Sequence, residues 1–291
     1  MRKLLCALGV CLAAGCSKQS ATVAPKPKLH VLATIAPMYC FAKNVAGDLA
    51  DVDMIMPAGV SPKGYAPTDE DVRKIMQADV IVENGFGFED WMDRLEAKGL
   101  KQGAVRVIAA RGTGPGIPGL PGDPNTPPAP APDTSGSSDG AAPELSGPPD
   151  PHVWLDPMMA IHEVQNIRDA LMKADPVNAN DYLANENRYE SALRDLDDEV
   201  GRLTVVITKR RLLCTDTTFT YFLSRYEFPV MKDADTAVAV LAPAGVDASA
   251  WKEKGMRVIV ADPLESGPAS TDFYETRTLA NAKALAQGLM Q

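Results

Sequence analysis

Short apolar runs alternate with amphipathic stretches between residues 29 and 109. Four of these runs predict strands, at residues 29–34, 51–56, 78–83 and 105–109, of which the first is expected to be buried. The stretches between them have helical periodicity and predict helices at residues 41–46, 69–77 and 89–98. Thr68 directly precedes the second helix and can cap it. Strands that alternate with helices favour parallel α/β packing.

Two long helical patterns follow. The first covers residues 158–173 and stops before Asp175 and Pro176, and the second runs from about residue 179 to about residue 206. Apolar side chains recur along the second at steps of three, four or seven, at Tyr182, Tyr189, Leu193, Leu196, Val200 and Leu203. With about 28 residues it is on the order of 40 Å long, enough to cross a whole domain. We expect it to be a rigid link between two lobes.

The remaining pattern predicts a second, smaller α/β lobe. Its elements are strands at residues 211–215 and 256–261 and helices at residues 219–226 and 274–290. The predicted domains are therefore a first lobe at 29–176, a linking helix at 177–207 and a second lobe at 208–291. Residues 111–149 interrupt the first lobe and consist mostly of Pro, Gly, Ser and Ala. With so few large apolar residues they predict a disordered insert, and a domain linker is the alternative.

The chain begins with the features of a bacterial lipoprotein signal. Arg2 and Lys3 precede an apolar run at residues 4–14, which is too short to span a bilayer. The run ends in LAAGC, which resembles a lipobox, so we expect a signal peptide at 1–15, lipidation of Cys16 and a tether at 16–28. The chain would then be anchored to a membrane and face the periplasm or the cell exterior. An ordinary secretory signal with an incidental cysteine is the alternative.

The formal net charge of −9 becomes −11 once Arg2 and Lys3 leave with the signal. An acidic chain argues against nucleic acid as a partner and suits cations, although a net negative charge also serves solubility. Beyond the signal and the lipidated cysteine only Cys40 and Cys214 remain. A disulfide between them is permitted outside the cytoplasm, but they belong to different predicted lobes, so free thiols are expected.

Four stretches resemble the cluster A-I family of metal-binding solute receptors of zinc and manganese ABC importers. They are residues 57–71 (PAGVSPKGYAPTDED), 78–95 (ADVIVENGFGFEDWMDRL), 150–203, which opens with DPHVWLDP, and 261–264 (ADPL). The resemblance implies an α/β fold of two small lobes with parallel sheets, joined by one long rigid helix, with a divalent cation held in the cleft between them. It also implies an ABC permease in the inner membrane as partner. Compared with the family, the second lobe is one β–α unit short between Asp235 and Met256.

The resemblance places one ligand in each of four motifs, at Lys63, His152, Asp216 and Asp262. His152 and Asp262 match the family, and Asp216 stands where zinc members have His and manganese members a carboxylate. Lys63 replaces the family's first His. One imidazole with two carboxylates is a harder ligand set than three imidazoles with one carboxylate, and it shifts the preference from zinc toward manganese or iron(II).

The residues themselves agree with this placement. Asp216 and Asp262 each follow an apolar strand, and open α/β sheets bind ligands at the carboxyl ends of strands. Helix capping is the alternative for both. His152 lies at a loop-to-helix junction, from which its imidazole can point into a cleft. Cys40 and Cys214 are expected to be small buried residues, with a role as soft replacement ligands as the alternative. His30 and His162 are expected to be ordinary structural or surface residues.

Lys63 leaves three outcomes open, because an ammonium group only donates hydrogen bonds. A charged Lys63 about 4 Å from a unit cation costs on the order of 4 kcal/mol at an effective dielectric near 20. Metal binding is then weak or altered, with Lys63 in solvent and water in the fourth position. Alternatively, Lys63 forms an internal salt bridge with Asp216 and Asp262, and the chain is a metal-free adhesin or scaffold. The third outcome is a different solute.

An enzyme is not expected. The sequence has no nucleophile motif, no phosphate-cradling Gly loop and no helical His-Glu pair of the metallohydrolase kind. The resemblance implies that the chain is the extracytoplasmic substrate-binding component of a divalent metal importer, with zinc or manganese as the transported ligand.

Overall fold

The computed structural model of the chain describes residues 27–113 and 150–290. The predicted signal peptide, the lipidation of Cys16, most of the tether and residues 114–149 of the predicted insert lie outside them. Within those ranges no helix has the length and hydropathy to cross a membrane.

The first lobe is built on a parallel four-stranded sheet in the order β2-β1-β3-β4. Its strands are β1 Leu29–Ala33, β2 Ala50–Met54, β3 Val80–Glu83 and β4 Val105–Ile108. Its helices are α1 Ala36–Ala46, α2 Asp69–Gln77 and α3 Met92–Glu96. All four residues of β3 are buried, as expected for an inner strand of a parallel sheet covered on both faces.

Local sequence explains the helix boundaries of this lobe. Thr68 caps α2 as predicted, because its hydroxyl accepts from Asp71 N while the Asp71 carboxylate accepts from Thr68 N at 2.7 Å. The helix predicted at 41–46 begins earlier, at Ala36, because Pro37 suits the first turn of a helix and needs no donor there. It ends at Gly47, whose φ of 54° lies in the left-handed region.

Helix α4, Pro157–Ala174, packs in the first lobe against α1, β3 and β4, and α5, Ala179–Val205, follows it and links the lobes. Helix α5 has 27 residues and contacts α1 and α4 of the first lobe and the last helix of the second. Five of the six predicted stripe residues are buried in the core that runs through both lobes, and Leu203 is partly buried against it. The long linking helix is confirmed.

The second lobe has a parallel three-stranded sheet in the order β5-β6-β7, formed by β5 Leu212–Cys214, β6 Ala239–Pro243 and β7 Val258–Ala261. Its helices are α6 Thr220–Arg225, α7 Ser249–Glu253 and α8 Phe273–Met290. The two-lobe α/β prediction is confirmed. One β–α unit was expected to be missing between Asp235 and Met256, but this stretch forms β6, the fully buried central strand, followed by α7.

Candidate functional site

A cleft of about 680 Å³ opens between the two lobes. All four residues predicted for the site line it: Lys63 and His152 from the first lobe, and Asp216 and Asp262 from the second. Asp216 and Asp262 follow β5 and β7 at their carboxyl ends, the edge at which open parallel sheets bind ligands. The four motifs therefore meet at one place in the fold, although they are far apart in sequence.

His152 is held between two carboxylates. Its Nδ1 lies 2.7 Å from Asp150 Oδ1, and its Nε2 lies 2.8 Å from Glu265 Oε1 of the second lobe. The rings of Phe88 and Trp154 pack edge-on against the imidazole, at centroid distances of 5.5 and 5.0 Å. The side chain is 12% exposed, so its orientation is fixed by its neighbours on every side.

The two carboxylates also determine the charge of His152. Burial by itself disfavours the charged imidazole, but the hydrogen bonds and charges of Asp150 and Glu265 outweigh it and raise the pKa of His152 to about 9. At neutral pH the ring is therefore an imidazolium that donates from both nitrogens. A metal ion needs a deprotonated nitrogen, so it has to displace a proton from His152.

Asp150 extends this contact to the second lobe. Its Oδ1 also accepts from the backbone N of His152 at 2.9 Å, and its Oδ2 accepts from Thr217 Oγ1 at 2.6 Å. Burial alone raises the pKa of Asp150, but the bonds from His152 and Thr217 outweigh it and lower the pKa below the usual value. Asp150 therefore stays ionised and orients the imidazole, as carboxylates behind metal-binding histidines do.

The two predicted aspartates bond to the backbone of the loops that follow their strands, but neither caps a helix, their alternative role, because α6 begins at Thr220 and α8 at Phe273. Asp216 is exposed, and its Oδ1 accepts from Thr218 N at 3.0 Å. Asp262 Oδ1 accepts from Leu264 N at 2.8 Å, and its Oδ2 lies 3.5 Å from Arg277 Nη1. Each carboxylate thus shapes the loop after its strand while facing the cleft.

Lys63 is exposed, and among the described residues no carboxylate lies within ion-pairing distance of its ammonium. The internal salt bridge to Asp216 and Asp262, on which the metal-free alternative depends, is not formed. Across residues 27–113 and 150–290 no group of three His, Cys, Asp or Glu side chains is arranged to hold a metal ion. In this conformation the predicted donors line one cleft without converging on a point.

The two cysteines are free thiols, as predicted, and neither lines the cleft. Cys40 is buried in α1, where its Sγ donates to Thr271 O at 3.2 Å, and Cys214 ends β5. Burial raises the pKa of both thiols to about 12. The position of the thiols gives no support to the alternative of a soft replacement ligand.

Two site residues, Asp150 and Glu265, were missed from the sequence. Asp150 begins the quoted DPHVWLDP stretch, two positions before His152, and this spacing was the available signal. Glu265 follows ADPL directly, but its contact with His152 joins residues 113 positions apart. Only the approach of the two lobes creates that contact.

The chain is similar to proteins of metal-transport systems. The profile of the family described as ZnuA, zinc-uptake complex component A, periplasmic, matches residues 31–244. The high-affinity zinc uptake system protein ZnuA of Bacillus subtilis (strain 168) is 31% identical over 246 residues, which cover 82% of this chain and 72% of that protein. The metal ABC transporter substrate-binding lipoprotein SsaB of Streptococcus sanguinis is 30% identical over 239 residues, or 79% and 71% of the two chains.

A solved structure shares the same architecture. The SBP FpvC of P. aeruginosa, determined in complex with Ni²⁺, superimposes with a TM-score of 0.72 over 91% of this chain and 97% of its own. Its sequence identity is 20%, so the likeness shows the fold alone.

Proposed function

The chain belongs to the ZnuA family of periplasmic metal-binding components of ABC importers, and from this premise we propose that it captures a divalent metal ion in the cleft between its lobes. It is a solute-binding protein of a transport system and not an enzyme. The observation that supports the proposal is that Lys63, His152, Asp216 and Asp262, drawn from four separate motifs, line one inter-lobe cleft.

The donors supply a physical reason for binding a cation there. His152 comes from the first lobe and the carboxylates of Asp216 and Asp262 from the second, so an ion between them joins the two lobes. The bound ion replaces the proton on His152 Nε2 and the hydrogen bond that this proton makes to Glu265. Binding therefore releases a proton and brings the donors closer together.

The chemistry of the donors sets the expected range of ions. The Bacillus subtilis relative is a zinc uptake protein by name, and FpvC was determined with Ni²⁺. In this chain one imidazole is accompanied by carboxylates, which are harder ligands than the imidazoles of a zinc site. We expect Mn²⁺ to compete effectively with Zn²⁺ here, so that manganese and zinc are both candidate cargoes.

The rest of the proposal concerns where the protein acts. Lipidation of Cys16 would anchor it to the membrane, with the two lobes in the periplasm or at the cell exterior. From there it would deliver the ion to its cognate ABC permease in the inner membrane. The SsaB relative, a lipoprotein by name, supports such an anchor.

The experiment that tests the placement of the site is a titration of three forms with Zn²⁺ and Mn²⁺ by calorimetry: wild type, Lys63→Gln and Lys63→His. Lys63→Gln removes the positive charge without adding a good donor, and we expect about tenfold tighter binding, because the exposed ammonium is partly screened by solvent. Lys63→His also adds an imidazole, and we expect about hundredfold tighter zinc binding than wild type.

Lys173→Gln is the matched control, since it removes the same charge from an exposed position at the end of α4, outside the cleft. Its affinity should equal that of wild type. A Lys63→His variant that binds no better than Lys173→Gln would mean that the four positions do not surround one ion.

A further inference from the structure

The cleft contains one donor that the four-motif pattern does not include. Glu265 lines both the cleft and an adjoining hollow that it shares with Lys63 and His152. Its Oε1 lies 2.8 Å from His152 Nε2, and its side chain is 25% exposed. Because Asp150 occupies Nδ1, Nε2 is the nitrogen of His152 that is left to bind a ligand. Glu265 is the carboxylate in direct contact with it.

The backbone around Glu265 is built to hold it in this position. Leu264, the residue before it, is fully buried and has a φ of 60°, a conformation that is costly for a residue with a branched side chain. Asp262 stabilises this turn by accepting from Leu264 N. The turn directs Glu265 toward the first lobe.

Contacts with the first lobe fix the loop on both sides of Glu265. Trp154 Nε1 donates to Pro263 O at 3.0 Å, and Gly59 N donates to Ser266 Oγ at 2.7 Å. The Glu265 carboxylate is therefore presented to His152 by a loop anchored before and after it.

We propose that Glu265 is the fourth donor of the metal site and replaces the imidazole that position 63 lacks. The inference rests on the proposed function, since it concerns the same cleft. His152 Nε2 and Glu265 Oε1 lie 2.8 Å apart, near enough for one metal ion beside them to bind both at the usual bond lengths of roughly 2.0–2.2 Å.

Glu265 also accounts for how a cation can bind beside Lys63. With Glu265 included, the cleft holds three carboxylates against one ammonium, which balances the charge of a divalent ion. The resulting set of one imidazole and three carboxylates is rich in oxygen, and such sets favour Mn²⁺ over Zn²⁺ more than an imidazole-rich site does. Glu265 is therefore expected to determine metal preference as well as affinity.

The test is a titration of wild type, Glu265→Gln, Glu265→His and Asp90→Asn with Mn²⁺ and with Zn²⁺, together with thermal unfolding of each metal-free form to verify folding. The glutamine amide oxygen can still accept a hydrogen bond from His152 Nε2–H. Glu265→Gln therefore preserves any role of this side chain in positioning His152 but removes its anionic metal donor. Asp90→Asn removes one negative charge from an exposed position in the same hollow.

We expect Glu265→Gln to weaken Mn²⁺ binding about a hundredfold and Asp90→Asn to weaken it by no more than about threefold. Glu265→His should raise the preference for Zn²⁺ over Mn²⁺ by about tenfold or more, a change that a positioning role would not produce. If Glu265→Gln binds like Asp90→Asn while wild type binds metal, Glu265 only positions His152 and the inference is overturned. A wild type that binds neither metal overturns the proposed function, and the inference with it.

Discussion

His152 lies between Asp150 and Glu265, and this arrangement determines how the cleft can take up a cation. In the proposed site, a metal ion would have to compete with the proton on His152 rather than enter an empty site. Four residues that line the cleft were predicted from sequence because motifs carry them: Lys63, His152, Asp216 and Asp262. Glu265 was not, because its role arises from a contact between the lobes.

The protonation of His152 should make the stability of the protein depend on pH. The folded-state pKa of His152 is raised to about 9, above its ordinary value near 6.5. The stabilisation from its charged form is therefore complete below about pH 6.5 and is lost as the pH rises through 9. The free energy of unfolding of metal-free wild type, minus that of His152→Gln, should fall by on the order of 2 kcal/mol between pH 6.5 and 9.5.

Urea denaturation at a series of pH values measures this difference, and pH effects of other groups cancel in it. His30→Gln is the control, because His30 is exposed and does not line the cleft. A difference that stays constant or grows over the window would show that His152 is not held as an imidazolium.

At the scale of single elements, α4 carries an unusual buried group. Glu163 is fully buried, and neither carboxylate oxygen has a hydrogen-bond partner in the described part of the chain. Burial raises its pKa well above the usual value, and the nearby Glu89 adds to the shift. Glu89 is also buried, but its carboxylate accepts from Thr34 Oγ1, Asn84 N and Gly85 N.

We expect Glu163→Met to raise the free energy of unfolding by about 1–3 kcal/mol at pH 8, because it removes an unsatisfied buried polar group. A carboxyl whose pKa is raised on folding destabilises the protein increasingly as the pH rises above the unfolded-state pKa. The stabilisation by Glu163→Met should therefore be smaller at pH 5 than at pH 8. Glu89→Met is the matched comparison and should be destabilising, since three donors lose their acceptor. Chemical denaturation of both variants decides the matter, and a Glu163→Met protein less stable than wild type at pH 8 would contradict this explanation.

The elements themselves were largely predictable, and the exception has a clear cause. Strands such as β3 are continuous runs of large apolar residues, which local pattern detects. Strand β6 contains only Val240 and Leu241 as large apolar residues, beside Ala239, Ala242 and Pro243. It is a strand because β5 and β7 pair with it on both sides, a tertiary condition that the local sequence does not contain.

At the scale of the whole molecule, the lobes meet at the linking helix and across the loop between β7 and α8. Besides its contacts near the cleft, this loop accepts from Cys40 Sγ and from Asn44 Nδ2 of α1 at Thr271 O. On the other side of the cleft Thr217 bonds to Asp150. The proposed donors for a cation are therefore divided between two lobes that already contact each other. An ion bound between them adds contacts that neither lobe has alone, and it stabilises the assembled form by mass action.

The metal content of the purified protein shows whether this cleft holds a divalent metal ion. The chain should be purified without chelator or His tag, equilibrated with Mn²⁺ or Zn²⁺, separated from free metal by gel filtration and submitted to elemental analysis. We expect about one ion per chain, together with a raised melting temperature, and neither in the His152→Ala, Asp216→Ala double variant. If wild type retains no more metal than the double variant, the cleft does not hold the ion.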